Sequence, residues 1–144
     1  MICTFFGHRD APLSIEKELE KIILSLISEG VDEFLVGNNG SFDLLVQGVL
    51  RKLFLKSEKI RYSVVISYLN ERVDERFKEK VIYPEGLEMS PKKIAIIKRN
   101  EWMLKRASVA VVYVKYTQGS SYKLLRKAER SRIRIINLAT EPKL

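Results

Sequence analysis

Val109-Ala110-Val111-Val112-Tyr113-Val114 is apolar at every position and β-branched at four of them. A strand with one wet face alternates apolar and polar side chains. A strand without that alternation is buried on both faces, as in a parallel sheet sandwiched between helices. The residues on either side repeat the theme. Ile2-Cys3-Thr4-Phe5-Phe6 is a short apolar run ending in Gly7, and Phe34-Leu35-Val36 is another, ending in Gly37. Val64-Val65-Ile66 lies within an extended stretch predicted over residues 61–69, and Ile133-Arg134-Ile135-Ile136-Asn137-Leu138 closes the series.

Between these runs the apolar residues change to helical spacing. Ile15, Leu19, Ile22, Ile23, Leu26 and Ile27 mark a first helix that Gly30 ends. Leu44, Leu45, Gly48, Val49, Leu53 and Phe54 trace a second, starting near Ser41. Pro91 opens a third, carried by Ile94, Ile97, Trp102, Leu104 and Ala107, and Leu124, Leu125 and Ala128 form the inward face of a fourth. Residues 70–80 are charge-rich and read as partly helical. Val81-Ile82-Tyr83 reads as extended, because Pro84 disfavours helix before it. Strands alternating with helices predict an α/β fold: a Rossmann-like three-layer sandwich with a mostly parallel five-stranded sheet and helices on both faces. No linker or repeat interrupts residues 1–144, so a single domain is expected.

Composition narrows the function classes. The 144 residues are 46% hydrophobic and 31% charged, the balance of a globular protein. Cys3 is the only cysteine, which excludes an internal disulfide, and His8 is the only histidine, so neither a metal site nor a cofactor is expected. The amino terminus lacks a basic n-region, and no apolar run reaches membrane-spanning length; a cytoplasmic protein with no membrane partner is expected. The net charge of +8 is uneven. Residues 113–134 hold Lys115, Lys123, Arg126, Lys127, Arg130, Arg132 and Arg134 against one acid, Glu129. Such a segment is either a solvated helix face or a field that attracts anions, nucleic acid included.

In a doubly wound sheet, ligands bind outside the carboxyl ends of the strands, where the loops into the helices gather. Three of those loops are chemically pointed. Gly7-His8-Arg9-Asp10 combines a close backbone turn with a planar donor fork for phosphate or carboxylate. Gly37-Asn38-Asn39-Gly40-Ser41-Phe42-Asp43 runs straight into a helix, whose first N–H groups and partial positive charge suit a phosphate. Asp43 either caps that helix or accepts from a ribose hydroxyl. Tyr116-Thr117-Gln118-Gly119-Ser120-Ser121-Tyr122 offers hydroxyls and N–H donors at a further helix start. Ordinary turns and caps account for each loop taken alone. Arg99 and Asn100 stand apart on the third helix, where a solvated arginine is the simpler reading, and Trp102 and Met103 read as packing residues. One histidine, a strand-borne cysteine and no Gly-x-Ser-x-Gly elbow argue against a nucleophilic triad.

Four segments in order resemble the SLOG superfamily, which unites the LOG phosphoribohydrolases with the DprA/Smf DNA-processing proteins, and within it the small YpsA-like bacterial branch. They are Cys3-Thr4-Phe5-Phe6-Gly7-His8-Arg9, Val36-Gly37-Asn38-Asn39-Gly40-Ser41-Phe42-Asp43, Lys98-Arg99-Asn100-Glu101-Trp102-Met103 and Gly119-Ser120-Ser121-Tyr122. The resemblance spans nearly the whole chain. It implies a nucleotide or nucleotide-derived ligand, held by Gly7, His8, Arg9, Gly37, Asn38, Asn39, Gly40, Ser41, Asp43, Arg99, Asn100, Gly119, Ser120, Ser121 and Tyr122. It also implies a homodimer, with Trp102 on a helix face that could pack across the interface. The Arg-x-x-x-Met spacing of Arg99 and Met103 matches the segment that supplies a ligand-contacting arginine in LOG enzymes. Two departures stand out. Lys123 falls where those enzymes carry the glutamate that assists N-glycosidic cleavage, and an ammonium would repel a developing oxocarbenium charge. Asn38-Asn39 replaces glycines, although asparagine also reaches the left-handed region. The resulting expectation is a binding module rather than an enzyme. The first alternative is an N-glycosidase relying on Asp43, Asp10 or Glu101. The second is a nucleic-acid binder of DprA/Smf type, with Tyr122 as its one stacking aromatic.

Overall fold

Burial on both faces of the central strands sets the architecture. The computed structural model describes residues 1–57 and 59–140. Six strands form one sheet: β1 (Ile2–Gly7), β2 (Glu33–Val36), β3 (Arg61–Val65), β4 (Val81–Ile82), β5 (Val109–Tyr113) and β6 (Arg134–Asn137). Their order is β4-β3-β2-β1-β5-β6, and every pairing is parallel. Phe5 at the centre pairs with Val36 on one side and Val111 on the other.

Odd and even strand positions feed two separate cores. Cys3, Phe5, Phe34, Val36, Tyr62, Val64, Val109 and Val111 pack with α1 (Glu16–Ser28) and α2 (Ser41–Lys56). On the opposite face, Phe6, Ala110 and Val112 meet Leu104 of α3 (Lys92–Arg106) and Leu124 and Ala128 of α4 (Ser120–Arg130). Leu35 and Val65 meet Met103 there. Right-handed crossovers require this division, since the chain winds outward from β1 to β4 and then returns to the far side of β1. The winding reverses between β1 and β5, and their carboxyl ends frame the switch point. This is the three-layer Rossmann-like sandwich. Among the described residues no helix is long and apolar enough to cross a membrane.

The sheet has one strand more than the sequence predicts. Val81–Ile82, read from the sequence as extended but not counted as a strand, is a two-residue strand on the edge, paired with Val64 and Val65 and too short to carry any periodic signal. The third strand stops at Val65 rather than Leu69, and the helical content of residues 70–80 reduces to a 3-10 turn, Glu75–Lys80. Two helices are also rotated from the predicted faces. Leu44 and Gly48 are exposed, and α2 instead buries Phe42, Asp43, Val46, Gln47, Val49, Leu50 and Leu53. On α3, Ile94 and Ile97 are 44% and 47% exposed, while Ala95 and Arg99 face inward. Apolar spacing misses both faces because polar side chains occupy inward positions. Trp102 is half-buried against the Leu35, Val65 and Met103 cluster, with the Arg106 guanidinium 3.8 Å from its ring centroid.

Two glycines give opposite expectations. A Cβ on Gly7 would lie 2.8 Å from Phe42 ring atoms and 3.1 Å from Tyr113 Cβ. Gly7→Ala should therefore cost about 1–3 kcal/mol through overpacking. At Gly48, within α2, a Cβ meets nothing within 4 Å, so Gly48→Ala should stabilise by about 0.5–1 kcal/mol. Urea unfolding of both variants tests the pair, and a neutral Gly7→Ala would contradict the packing described at the end of β1.

Candidate functional site

The loops after β1, β2 and β5 meet at the switch point, and their glycines explain how closely. Gly40 immediately precedes α2 at φ 90°, a conformation that side-chain-bearing residues rarely adopt. A Cβ there would fall 2.7 Å from the Cα of Arg9, so the first two loops touch backbone to backbone. The Ser41 amide seals the contact by donating to the Arg9 carbonyl at 3.0 Å. Gly119 precedes α4 with a similar φ of 95°, but a Cβ there meets nothing within 4 Å. Neither helix start carries a side-chain cap. Apart from the Ser41 N–H, which Arg9 takes, the N–H groups of the two first turns remain available to an external acceptor.

Under these loops lies a cleft of about 90 Å³. Gly7 and Arg9 line it from the first loop, Asn39 and Asp43 from the second, Ser120 and Ser121 from the third. Arg99 and Asn100 reach in from α3, and the floor is apolar, with Phe5, Phe6, Ile96, Met103 and Leu124. The structure thus brings together residues from four separate stretches of sequence.

Arg99 is the centre of this arrangement, and it is 1% exposed. Its Nη1 donates to the Val65 carbonyl at 2.9 Å, where β3 ends, and its Nε donates to Asn100 Oδ1 at 2.8 Å. Asp43 lies beside it: a Cβ on Gly37 would come within 3.0 Å of both the guanidinium and Asp43 Oδ2. A side chain at 37 would press on both charges, which would have to give by a few tenths of an ångström. Asp43 Oδ2 accepts from the Asn39 amide at 2.8 Å. Burial pushes the Asp43 carboxyl up to about 6, against the opposing pull of Arg99 and the Asn39 N–H, with nearby Glu71 adding to the rise. Burial also depresses the Arg99 pKa, while Asp43, Glu71 and Tyr68 hold it up; an arginine remains charged throughout. Glu71 itself accepts at Oε1 from the Ser67 amide and hydroxyl, both at 2.8 Å, while its Oε2 is enclosed without a hydrogen-bond partner among the described residues. Sequence reasoning missed both, because Ser67 falls in the stretch 61–69 read as strand and Glu71 in the charge-rich stretch after it, which has no clear periodicity.

Seven of the expected residues do not line the cleft: Gly37, Gly40 and Ser41 shape the second loop, and four others serve elsewhere. His8 Nε2 accepts from the Lys115 and Tyr116 amides at 2.8 and 3.1 Å, pinning the start of the third loop to the first. Asn38 turns away from the cleft: its Oδ1 accepts from Gln47 and its Nδ2 donates to the Arg72 carbonyl at 2.7 Å. Tyr122 packs with the α4 core, and its hydroxyl accepts from Arg126 Nη1. Gly119 does not line the cleft but sets the angle of α4. Lys123 lies in a neighbouring groove rather than the cleft. Asp10 and Glu101 do not line the cleft either, and Glu101 is paired with Lys127. In the basic segment, Arg126 and Arg134 are likewise engaged by Glu129 and Glu29. No group of three or more His, Cys, Asp or Glu that could hold a metal occurs among the described residues.

The sequence matches no family model and no curated protein.

Asp43 and His8 push stability in opposite directions with pH. The folded Asp43 pKa is raised, so its contribution is complete below pH about 4 and is lost as pH rises through about 6. That loss is on the order of 3 kcal/mol. The folded His8 pKa is lowered by burial, so its contribution is complete above about 6.5 and is lost as pH falls below that value. Denaturant unfolding of wild type and Asp43→Asn from pH 4 to 8 separates the two. The stability difference between the proteins should change across pH 4–6.5 and stay level above it. A difference that is flat over the whole range would mean that Asp43 ionises like an exposed aspartate.

Proposed function

We propose that this protein binds a nucleotide or nucleotide-derived small molecule, with a phosphate or comparable anionic group in the cleft between β1 and β5. The observation that carries this reading is the convergence on one small cleft of a buried guanidinium, a second arginine and two uncapped helix starts. Arg99 supplies a fixed fork, held in place by Val65 and Asn100, and Arg9 an adjustable one. The first turns of α2 and α4 add N–H donors and partial positive charge. At about 90 Å³ the cleft suits one such group rather than a whole nucleotide, since complete ligand pockets run roughly 300–1,000 Å³. The order of the motifs that resemble the SLOG superfamily supports the same reading.

One observation favours a second reading, cleavage of an N-glycosidic bond. Asp43 is a carboxyl in the cleft wall whose pKa of about 6 lets it exchange a proton near neutral pH. The binding reading ranks first because Asp43 is already engaged by the Asn39 amide and neighbours the Arg99 charge.

Thermal shift against mononucleotides, ADP-ribose, NAD and cyclic dinucleotides, with each mixture assayed for released base, tests both. A ligand at a hundred times its Kd stabilises by about 2.7 kcal/mol, which is on the order of 10 °C for a domain of this size. Arg9→Ala, an exposed change, should weaken binding roughly ten- to a hundredfold, the worth of a charge-assisted hydrogen bond. Stabilisation without product supports a binding module. Release of base that disappears in Asp43→Asn supports the hydrolase. No shift with any member of the panel overturns both.

A further inference from the structure

The cleft does not end at its own rim. Asn100, Ser120 and Leu124 line it on one side and a second cavity on the other, a groove of about 310 Å³ between α3 and α4. The remaining walls of the groove are Ile97, Glu101, Lys123, Lys127 and Arg130. Its volume reaches the range of a small-molecule site, which the cleft alone does not.

The chemistry of the groove is specific. Ile97, 47% exposed in the middle of α3, and Leu124 of α4 give the groove an apolar surface. The rest of its α4 lining beyond Ser120 is cationic. Lys127 is paired with Glu101, the one acid in the groove, which leaves Lys123 and Arg130 exposed with no acidic partner among the described residues. An apolar surface flanked by two unpaired cations, continuous with the proposed anion cleft, fits a molecule that carries a charged group, a flat apolar body and a second charged group.

Building on the proposed phosphate cleft, we infer that the ligand is a nucleoside flanked by two phosphates. One phosphate sits in the cleft, the base lies against Ile97 and Leu124, and the second phosphate meets Lys123 and Arg130. A nucleoside 3′,5′-bisphosphate is the smallest molecule of this class, and a 5′-phosphorylated dinucleotide presents the same features. A simple mononucleotide fills only part of the site.

Calorimetric titration of the full chain with AMP and with adenosine 3′,5′-bisphosphate provides the test. The expected result is at least tenfold tighter binding of the bisphosphate. In Lys123→Glu/Arg130→Glu that ratio should fall toward one. The substitutions are on the surface, and circular dichroism checks that the fold is retained. Lys17→Glu/Lys21→Glu, on exposed positions of α1, changes the net charge equally and should keep the ratio. If AMP binds and the bisphosphate binds no better, the groove proposal is overturned and the binding function stands. The proposal also fails if the ratio survives reversal of Lys123 and Arg130, or falls equally when Lys17 and Lys21 are reversed. If neither compound binds the wild-type protein, the functional reading falls first and takes this inference with it.

Discussion

A guanidinium cannot be taken out of water unless its donors and its charge are met, and that requirement organises the functional edge of this protein. Arg99 finds a backbone acceptor where β3 stops, a side-chain acceptor in Asn100, and a carboxylate neighbour in Asp43. Each of these fixes something else. The Val65 carbonyl at the end of β3 accepts from Arg99. Asp43 is held inward by the Asn39 amide, which shapes the second loop, and Gly37 lets the two charges sit close against that loop. The second loop, the end of β3 and the start of α2 are thus tied together around one buried cation.

The polar network extends beyond what Arg99 needs. Gln47, buried in α2, donates from Nε2 to the Gly37 carbonyl and to Asn38 Oδ1, and Asn38 in turn holds the Arg72 carbonyl. Ser67 and Glu71 close the far side. The side chains behind the cleft wall are therefore locked by hydrogen bonds, a form of preorganisation that suits the proposed anion site.

Much of this could be read from the chain, and the rest was hidden for identifiable reasons. The unbroken apolar run at 109–114 marks a central parallel strand, and the turn Gly37-Asn38-Asn39-Gly40 between strand and helix marks a loop at the carboxyl edge of the sheet. Val81–Ile82 pairs over two residues, below the length at which any period exists. The buried faces of α2 and α3 escape apolar counting because Asp43, Gln47 and Arg99 occupy inward positions that pattern reading assigns to aliphatic residues. Arg99 shows the difficulty most clearly: on a helix with five other cations its chemistry looks like solvation, and only the carbonyl of a strand 34 residues earlier reveals otherwise. His8 was visible as a residue of note, but the two backbone amides it accepts from lie more than a hundred positions away.

The two sides of the cleft differ in how much change they tolerate. Where Gly40 meets Arg9 there is no space for a methyl group, so neither of the first two loops can gain bulk without displacing the other. Around Gly119 the space is open, and the loop before α4 is exposed along its length. One wall is a fixed die and the other an adjustable jaw. Across a lineage, substitutions would accumulate on the α4 side, while the glycine-lined wall stayed as it is.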